Sequence, residues 1–239
     1  YDEKVQARLL GLMQRTDPTF NTSLIRVIGK IQPNSSRTGS ILAEWLRGND
    51  LSARDAVVRL MIERPVRQRE VARELSHLLA GLQAESPTQA PAQIPDIMAR
   101  AGQIDEAWLN RIRYAHWGDP RCGTITALGK MGPVARESVS LLQAHLSHPE
   151  VKVRSTTAIA LFRITGDFGH VEKVYGELLG DEEVEVRKLA VIVLGQISAE
   201  CPASVPLLIG ALKDGQFKVR QHAIVGLGAA GTNAVAALP

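Results

Sequence analysis

The stretch DEEVEVRKLAVIVLGQI (181–197) decides the fold, because similar stretches stand on both sides of it at one fixed spacing. HPEVKVRSTTAIALFRI (148–164) precedes it, and DGQFKVRQHAIVGLGAA (214–230) follows it. In each copy the apolar residues recur every three or four positions, which is the spacing of one face of an α-helix. A segment that returns with one period is typical of proteins built from stacked repeats.

Alignment of the copies on Arg154, Arg187 and Arg220 produces columns of similar residues. One column holds leucine and another holds small residues: Leu128, Leu161, Leu194 and Leu227, and Ala127, Ala160, Val193 and Gly226. A shorter amphipathic stretch precedes each copy: SVSLLQAHL, HVEKVYGELL and ASVPLLIGAL. Each repeat is therefore predicted to be a helical hairpin, helix A followed by helix B, that buries its apolar face against its neighbours.

The pattern continues less strictly toward the N-terminus, where DPTFNTSLIRVIGKI and NDLSARDAVVRLMIE begin one period apart, at Asp17 and Asp50. Residues 66–118 are irregular. We expect a long helix near 66–82 and a proline-rich loop near 84–95, after which DIMARAG and DEAWLNRIRYAHW complete the stack.

Together these patterns predict an all-α fold, an α-solenoid of about seven stacked helical hairpins with a 33-residue period. It forms a single domain over 1–239, with regular repeats at 1–65 and 119–239. The sequence starts at Tyr1 and stops inside an eighth repeat (TNAVAALP), which favours a fragment of a longer chain.

The repeated pattern D-x-x-V-x-V-R-x-x-A-x-x-x-L, followed by Gly or Ala, resembles the HEAT-repeat superfamily. It is similar to the short, regular repeats of the phycobilisome-lyase type, and the resemblance is strongest over 119–230. The ankyrin and tetratricopeptide signatures are absent. The resemblance implies a structural ladder of acid–arginine pairs that joins successive repeats, with His148 in place of one acid: Asp50, Arg54, Asp119, Arg121, Arg154, Asp181, Arg187, Asp214 and Arg220. A row of ligand-binding arginines is the alternative.

The charge balance argues against a dedicated nucleic-acid-binding domain. The chain has 28 Lys+Arg against 25 Asp+Glu, and the two signs are interspersed, whereas such domains concentrate positive charge. Two cysteines make no disulfide framework or zinc pattern, and no apolar run approaches the length of a membrane span. A cytoplasmic location is favoured, with a removed signal peptide left open.

The resemblance implies that helix B lines the concave surface, and its variable polar columns are then the candidate contact residues: Lys152, Ser155, Thr156, Arg163, Glu185, Lys188, Gln196, Lys218, Gln221 and His222. Trp108 and Trp117 are either core residues or aromatic anchors for a partner. We predict a non-catalytic protein–protein interaction scaffold with a protein or peptide partner and no cofactor.

Two other functions remain open. Asp105, Trp108, Trp117 and Asp119 loosely resemble the acid-and-tryptophan set of the HEAT-like alkylpurine DNA glycosylases, and a structural segment of a larger multidomain protein is the third hypothesis. His145 and His148 could share a metal, but a capping or solvated role is favoured. Arg64, Arg67 and Arg69 could bind phosphate, but an ion-paired helix start is favoured.

Overall fold

The computed structural model describes residues 18–31, 35–48, 50–84 and 119–235, and most of these residues are helical. No strand occurs in these ranges. The all-α solenoid class is therefore confirmed. The α-helices are α1 (Pro18–Ile31), α2 (Ser36–Arg47), α3 (Leu51–Glu63), α4 (Arg69–Ala84), α5 (Pro120–Met131), α6 (Val139–Ala144), α7 (Val151–Thr165), α8 (Gly169–Leu179), α9 (Val184–Ile197), α10 (Val205–Ala211), α11 (Phe217–Ala230) and α12 (Thr232–Val235).

Several helices begin at polar residues that the sequence places there. Asp50 caps α3 by accepting the backbone N–H groups of Ser52 (3.0 Å) and Ala53 (3.1 Å). Ser35 caps α2 through the N–H of Thr38, and α7 ends at Gly166, whose φ of 79° suits glycine. Such caps replace the hydrogen bonds that the ends of a helix lack.

The N-terminal unit contains α1 to α6, together with Arg163–Thr165 at the end of α7. In it, α1 packs on α3 and α3 packs on α5, while α2 packs on α4. Helices B and helices A thus form two parallel rows, as stacked hairpins require. Its core is made of aliphatic side chains, with Ile25, Val57, Leu75 and Leu128 fully buried.

One feature of the N-terminal unit differs from the prediction. The helix expected near 66–82 is α4, and α5 packs directly against both α3 and α4. Arg121 Nη2 also donates to the carbonyl of Leu82 at 2.8 Å. Thus α4 and α5 are the two helices of one repeat, and residues 85–118 lie between them in the sequence. The sequence predicted a further helical layer from DIMARAG and DEAWLNRIRYAHW. These stretches and the proline-rich loop lie outside the described residues.

The C-terminal unit comprises His145–Phe162 and the residues from Gly166 onward. Here α8 pairs with α9 and α10 with α11, and the two B helices α9 and α11 pack side by side. Val191, Leu194 and Val219 are fully buried in a core made largely of aliphatic residues. Tyr175 is buried among them, and its hydroxyl donates to the carbonyl of Ser155 at 3.3 Å.

The predicted helix A in SVSLLQAHL is broken into pieces. A 3-10 helix, Gly132–Ser138, leads into the short α6, and a second 3-10 helix, His145–Ser147, follows it. Within the described ranges, no helix has the length and apolar character needed to cross a membrane.

Candidate interaction surface

The three arginines on which the repeats align make the same local contact. In each case Nη1 donates to two consecutive backbone carbonyls in the turn before its own helix B. Arg154 reaches His148 and Pro149 (both 2.8 Å), Arg187 reaches Asp181 and Glu182 (2.7 and 3.0 Å), and Arg220 reaches Asp214 and Gly215 (2.8 and 3.0 Å). These carbonyls precede the helix and have no partner in its ladder, so the arginine satisfies them and fixes the turn.

The acid that opens each repeat shapes the same turn. Asp181 Oδ1 accepts the N–H of Glu183 at 2.9 Å, and Asp214 Oδ1 accepts the N–H of Gln216 at 2.8 Å. Neither bond reaches an N–H group of the helix itself, because α9 and α11 start one residue later, so the bonds close a turn in front of each helix. His148 does the same through Nδ1, which accepts the N–H of Glu150 at 3.1 Å.

An acid–arginine pair of the predicted ladder joins two successive repeats of the C-terminal unit. Arg187 Nε lies 2.8 Å from Asp214 Oδ2, and Arg187 Nη2 lies 3.3 Å from Asp214 Oδ1. The guanidinium therefore binds the carboxylate through two nitrogens. Both side chains are largely covered. This hydrogen bond, together with the N–H of Gln216 and the charges of Arg187 and Arg220, holds the pKa of Asp214 below its usual value. Within the described C-terminal residues, no such pair joins Arg154 to Asp181.

Asp119 and Arg121 interact with each other at the start of α5. Asp119 caps α5 by accepting the N–H of Arg121 at 2.8 Å, and its second oxygen lies 2.6 Å from Arg121 Nη1. Asp119 is buried. Both oxygens are thus engaged in holding the start of α5, which favours a structural role for Asp119 over the acid of a glycosylase-like site.

Asp50 has a partner in the preceding repeat that the sequence reasoning missed. Asn21 Nδ2 donates to Asp50 Oδ2 at 3.2 Å, which links α1 to the start of α3. Asn21 stands one period before Arg54 and therefore in the arginine column, so the alignment held the signal that could have identified it. Arg54 Nε is buried, without a hydrogen-bond partner in the described part of the chain.

The Arg187–Asp214 pair should make stability depend on acid. Because the folded-state pKa of Asp214 is lowered, its contribution is complete above the unfolded-state pKa of about 3.9 and is lost as the pH falls through the folded-state value. Asp214→Asn should therefore lower the free energy of unfolding by about 1–3 kcal/mol at pH 7, and the difference from the parent should shrink below pH ~4. Urea unfolding followed by circular dichroism at several pH values measures both.

Asp181→Asn is the matched control, since Asp181 closes the same turn without an ion pair to Arg154 among the described residues. We expect a smaller and less pH-dependent loss from it. Equal losses in the two variants at every pH would show that the pair between repeats contributes nothing beyond the turn.

One column of exposed polar residues lies at the start of helix B in each repeat of the C-terminal unit. Lys152, Glu185 and Lys218 stand one period apart, on α7, α9 and α11, and all three are exposed. Glu185 forms an ion pair with Lys188, one turn along α9. The hydrogen bond from Lys188, with the charges of Lys188 and Lys218, lowers the pKa of the Glu185 carboxyl. A carboxylate thus sits among lysines on this surface, which we call the first-turn row: Lys152, Glu185, Lys188 and Lys218.

The structure removes Ser155 from the candidate contact residues. Ser155 is only 6% exposed, and its hydroxyl donates to the carbonyl of Lys152 in its own helix. Lys188, at the same position of the next repeat, is half-buried, and Gln221, one repeat further on, is exposed, so of these three residues only Ser155 is buried. Ser155 therefore leaves the candidate surface. Of the remaining residues, Gln196 and Gln221 are exposed and Thr156, Arg163 and His222 are half-buried; Trp108 and Trp117 lie outside the described residues.

His145 and His148 lie in the described part of the chain, as do Arg64, Arg67 and Arg69. His145 is buried, not solvated, and His148 holds its turn. Across the ranges that the structure describes, no three His, Cys, Asp or Glu side chains come together as metal ligands. Near Arg64, Arg67 and Arg69, the acids Glu70 and Glu74 pair with Arg47 of α2, at 3.1 and 2.9 Å.

Comparison with known proteins agrees with the repeat pattern. The family of HEAT repeats matches residues 171–238. A solved structure similar to this chain is the crystal structure of an engineered protein, at 16% identity, covering 95% of this chain and 96% of that one, with a TM-score of 0.44. The search of curated proteins found no match.

The match runs from within α8 to beyond α12 and includes Arg187, Arg220 and the pair between Arg187 and Asp214. The phycobilisome-lyase subtype is not confirmed. Residues 171–238, which contain the arginine and leucine columns of α9 and α11, match HEAT repeats, in agreement with the resemblance that the regular spacing of these columns predicted.

Proposed function

We propose that this chain is a non-catalytic scaffold that binds a protein or peptide partner along the first-turn row of its C-terminal unit. The observation that carries the proposal is that the columns of the repeat alignment differ in how constant their residue types are. The core and arginine columns keep their residue types from repeat to repeat, whereas the exposed column reads Lys152, Glu185 and Lys218. Residues released from packing are those that can differ to suit a partner.

The match to HEAT repeats also supports a non-catalytic binding scaffold. HEAT repeats are generally non-enzymatic and commonly bind proteins, and arrays of repeats present long binding surfaces. The polar residues best placed for chemistry are engaged in structure: Asp119 caps a helix, and Arg154, Arg187 and Arg220 hold turns.

The charges of the first-turn row indicate which charges a partner surface should carry. Three lysines and one glutamate give the four side chains a net charge of +2. The Glu185 carboxyl is ionised at neutral pH, as for any exposed glutamate. A partner surface with carboxylates facing Lys152 and Lys218 would therefore be complementary, and complementary charge raises the association rate and the specificity of a contact.

The test compares two pairs of charge reversals in a pull-down from lysate of the source cells. Lys152→Glu with Lys218→Glu changes the row. Lys173→Glu with Lys213→Glu makes the same change in charge at two other lysines of the C-terminal unit that lie outside the row. We expect the parent and the control pair to retain one protein, identified by mass spectrometry, that the row variant loses by at least about tenfold in affinity.

Thermal unfolding followed by circular dichroism checks that both variants fold. Equal retention of every captured protein by the row variant and the control would refute the row as the contact surface. Nuclease-sensitive capture of nucleic acid, weakening steeply with salt, would instead favour the glycosylase-like alternative.

A further inference from the structure

The turns that precede α7, α9 and α11 are built in the same way around different side chains. In each turn a side-chain atom accepts the backbone N–H two residues further on: Asp181 Oδ1 from Glu183 at 2.9 Å, Asp214 Oδ1 from Gln216 at 2.8 Å, and His148 Nδ1 from Glu150 at 3.1 Å. The acceptor is thus a carboxylate in two turns and an imidazole nitrogen in the third. These two kinds of acceptor respond differently to pH.

The imidazole of His148 can accept this hydrogen bond in one protonation state only. Nδ1 has a free lone pair in the neutral ring whose proton is on Nε2, whereas both nitrogens are donors in the imidazolium ion. A proton on Nδ1 would therefore face the N–H of Glu150, donor against donor. A carboxylate in general stays ionised until the pH falls to about 4, whereas an imidazole gains its second proton at about pH 6.5.

The charges around His148 also oppose a protonated ring. The guanidinium of Arg154 lies at the turn itself, because its Nη1 donates to the carbonyls of His148 and Pro149, both at 2.8 Å. An imidazolium ion would add a second cation there, in front of the positive end of the α7 dipole. The exposed Glu150 and Lys152 follow in the same segment, with opposite charges. In the described part of the chain, no carboxylate of another element forms an ion pair or a hydrogen bond with the ring.

The same turn fixes the start of α7. The carbonyl of Glu150 accepts the N–H groups of Val153 at 3.1 Å and Arg154 at 3.2 Å. On the other side of the turn, the N–H of His148 donates to the carbonyl of His145, a second titratable residue, at 3.2 Å. Loss of the bond between the His148 ring and Glu150 would therefore loosen the first turn of α7.

We propose that His148 makes the turn before α7 sensitive to mild acid. The turn is closed while the imidazole is neutral and opens when the ring gains its second proton, under conditions in which the turns of Asp181 and Asp214 stay closed. Because the open turn binds the extra proton more readily than the closed one, the closed turn loses stability as the pH falls through about 6.5 and regains it at neutral pH. This device goes beyond the proposed function and does not depend on whether the first-turn row binds a partner.

Nuclear magnetic resonance of the whole chain tests the proposal without any substitution. At about pH 7.5, the nitrogen resonances of the His148 ring should show its proton on Nε2. As the pH is lowered to about 5.5, the amide proton of Glu150 should shift with the midpoint of the ring, because it loses its acceptor. The amides of Glu183 and Gln216 are internal controls and should stay nearly constant. A proton on Nδ1 at the higher pH, or a Glu150 amide that titrates no more than the controls, would overturn the proposal.

Two substitutions of His148 separate the loss of the acceptor from other effects of acid. His148→Asn keeps a side-chain acceptor that carries no charge at any pH, and His148→Asp restores the residue of the other two turns. Between about pH 7.5 and 5.5 the neutral fraction of an imidazole falls about tenfold. The unfolding equilibrium constant of the parent, measured in urea, should therefore rise about threefold to tenfold relative to either variant over this range.

His145 is present in all three chains, so its own titration cancels in this comparison. The two variants also guard against misfolding, since either one that folds supplies the reference. A ratio of parent to variant that is the same at both pH values would show that protonation of His148 and closure of the turn are not linked, and would overturn the proposal.

Discussion

Leu194→Ala is expected to lower the free energy of unfolding by about 2–5 kcal/mol, the largest loss among the changes considered. Leu194 lies in the leucine column of α9 and is fully buried in the core of the C-terminal unit. Truncation of its side chain removes buried apolar groups and leaves a cavity that the surrounding helices cannot fill completely. Urea unfolding followed by circular dichroism in the far ultraviolet measures the loss.

Lys188→Ala, on the same helix, is the control. Its ion pair with Glu185 involves a carboxylate that is mostly exposed, and such pairs contribute little, so we expect a change within about 0.5 kcal/mol. Leu227→Ala, in the same column but on the half-buried position of α11, should fall between the two. Equal unfolding midpoints for Leu194→Ala and Lys188→Ala would contradict the assignment of the leucine column to the core.

The helices and their order could be predicted from the sequence because the period is repeated so often. Each copy of the apolar spacing supports the others, and the predicted B helices at 148–164, 181–197 and 214–230 correspond to α7, α9 and α11. Residues 85–118 could not be placed in the same way. Their amphipathic stretches lack the repeat columns, so nothing in them indicated that α5 would pack directly on α3.

The candidate site was harder to predict than the fold, because a column shows that a residue is free to vary without showing which way it points. Ser155 varies against Lys188 and Gln221 and is polar, yet it is buried. Asn21 was overlooked for the opposite reason. It differs from arginine, although its amide reaches the acid of the next repeat from the same column.

The acid and arginine columns combine two functions that the sequence pattern does not separate. Asp214 closes its own turn through Gln216 and also binds Arg187 of the repeat before it. Asp181 closes its turn with the same geometry but has no ion pair with Arg154 in the described part of the chain. A shared column therefore predicts the turn, which is local, more securely than the pair between repeats, which depends on how two hairpins pack.

Gly195→Ala should destabilise the protein although alanine favours helices. A Cβ at Gly195 would stand 2.7 Å from the Cα of Gly226, a backbone atom that cannot move unless α9 and α11 separate. We expect the overpacking, about 1–3 kcal/mol, to exceed the gain of up to about 1 kcal/mol from removing a glycine inside a helix.

Gly228→Ala isolates the helix-propensity term, because Gly228 lies within α11 and a Cβ there meets nothing within 4 Å. We expect this change to raise the free energy of unfolding by up to about 1 kcal/mol, so the two alanines should act in opposite directions in one urea experiment.

Gly226→Ala approaches the same contact from the other side, with the Gly195 Cα at 3.0 Å and Leu208 Cδ2 at 3.2 Å. Since either change alone forces the helices apart, the double variant should lose less than the sum of the two single losses. Stabilisation by Gly195→Ala as large as that by Gly228→Ala would show that α9 and α11 are not in close contact at Gly195 and Gly226.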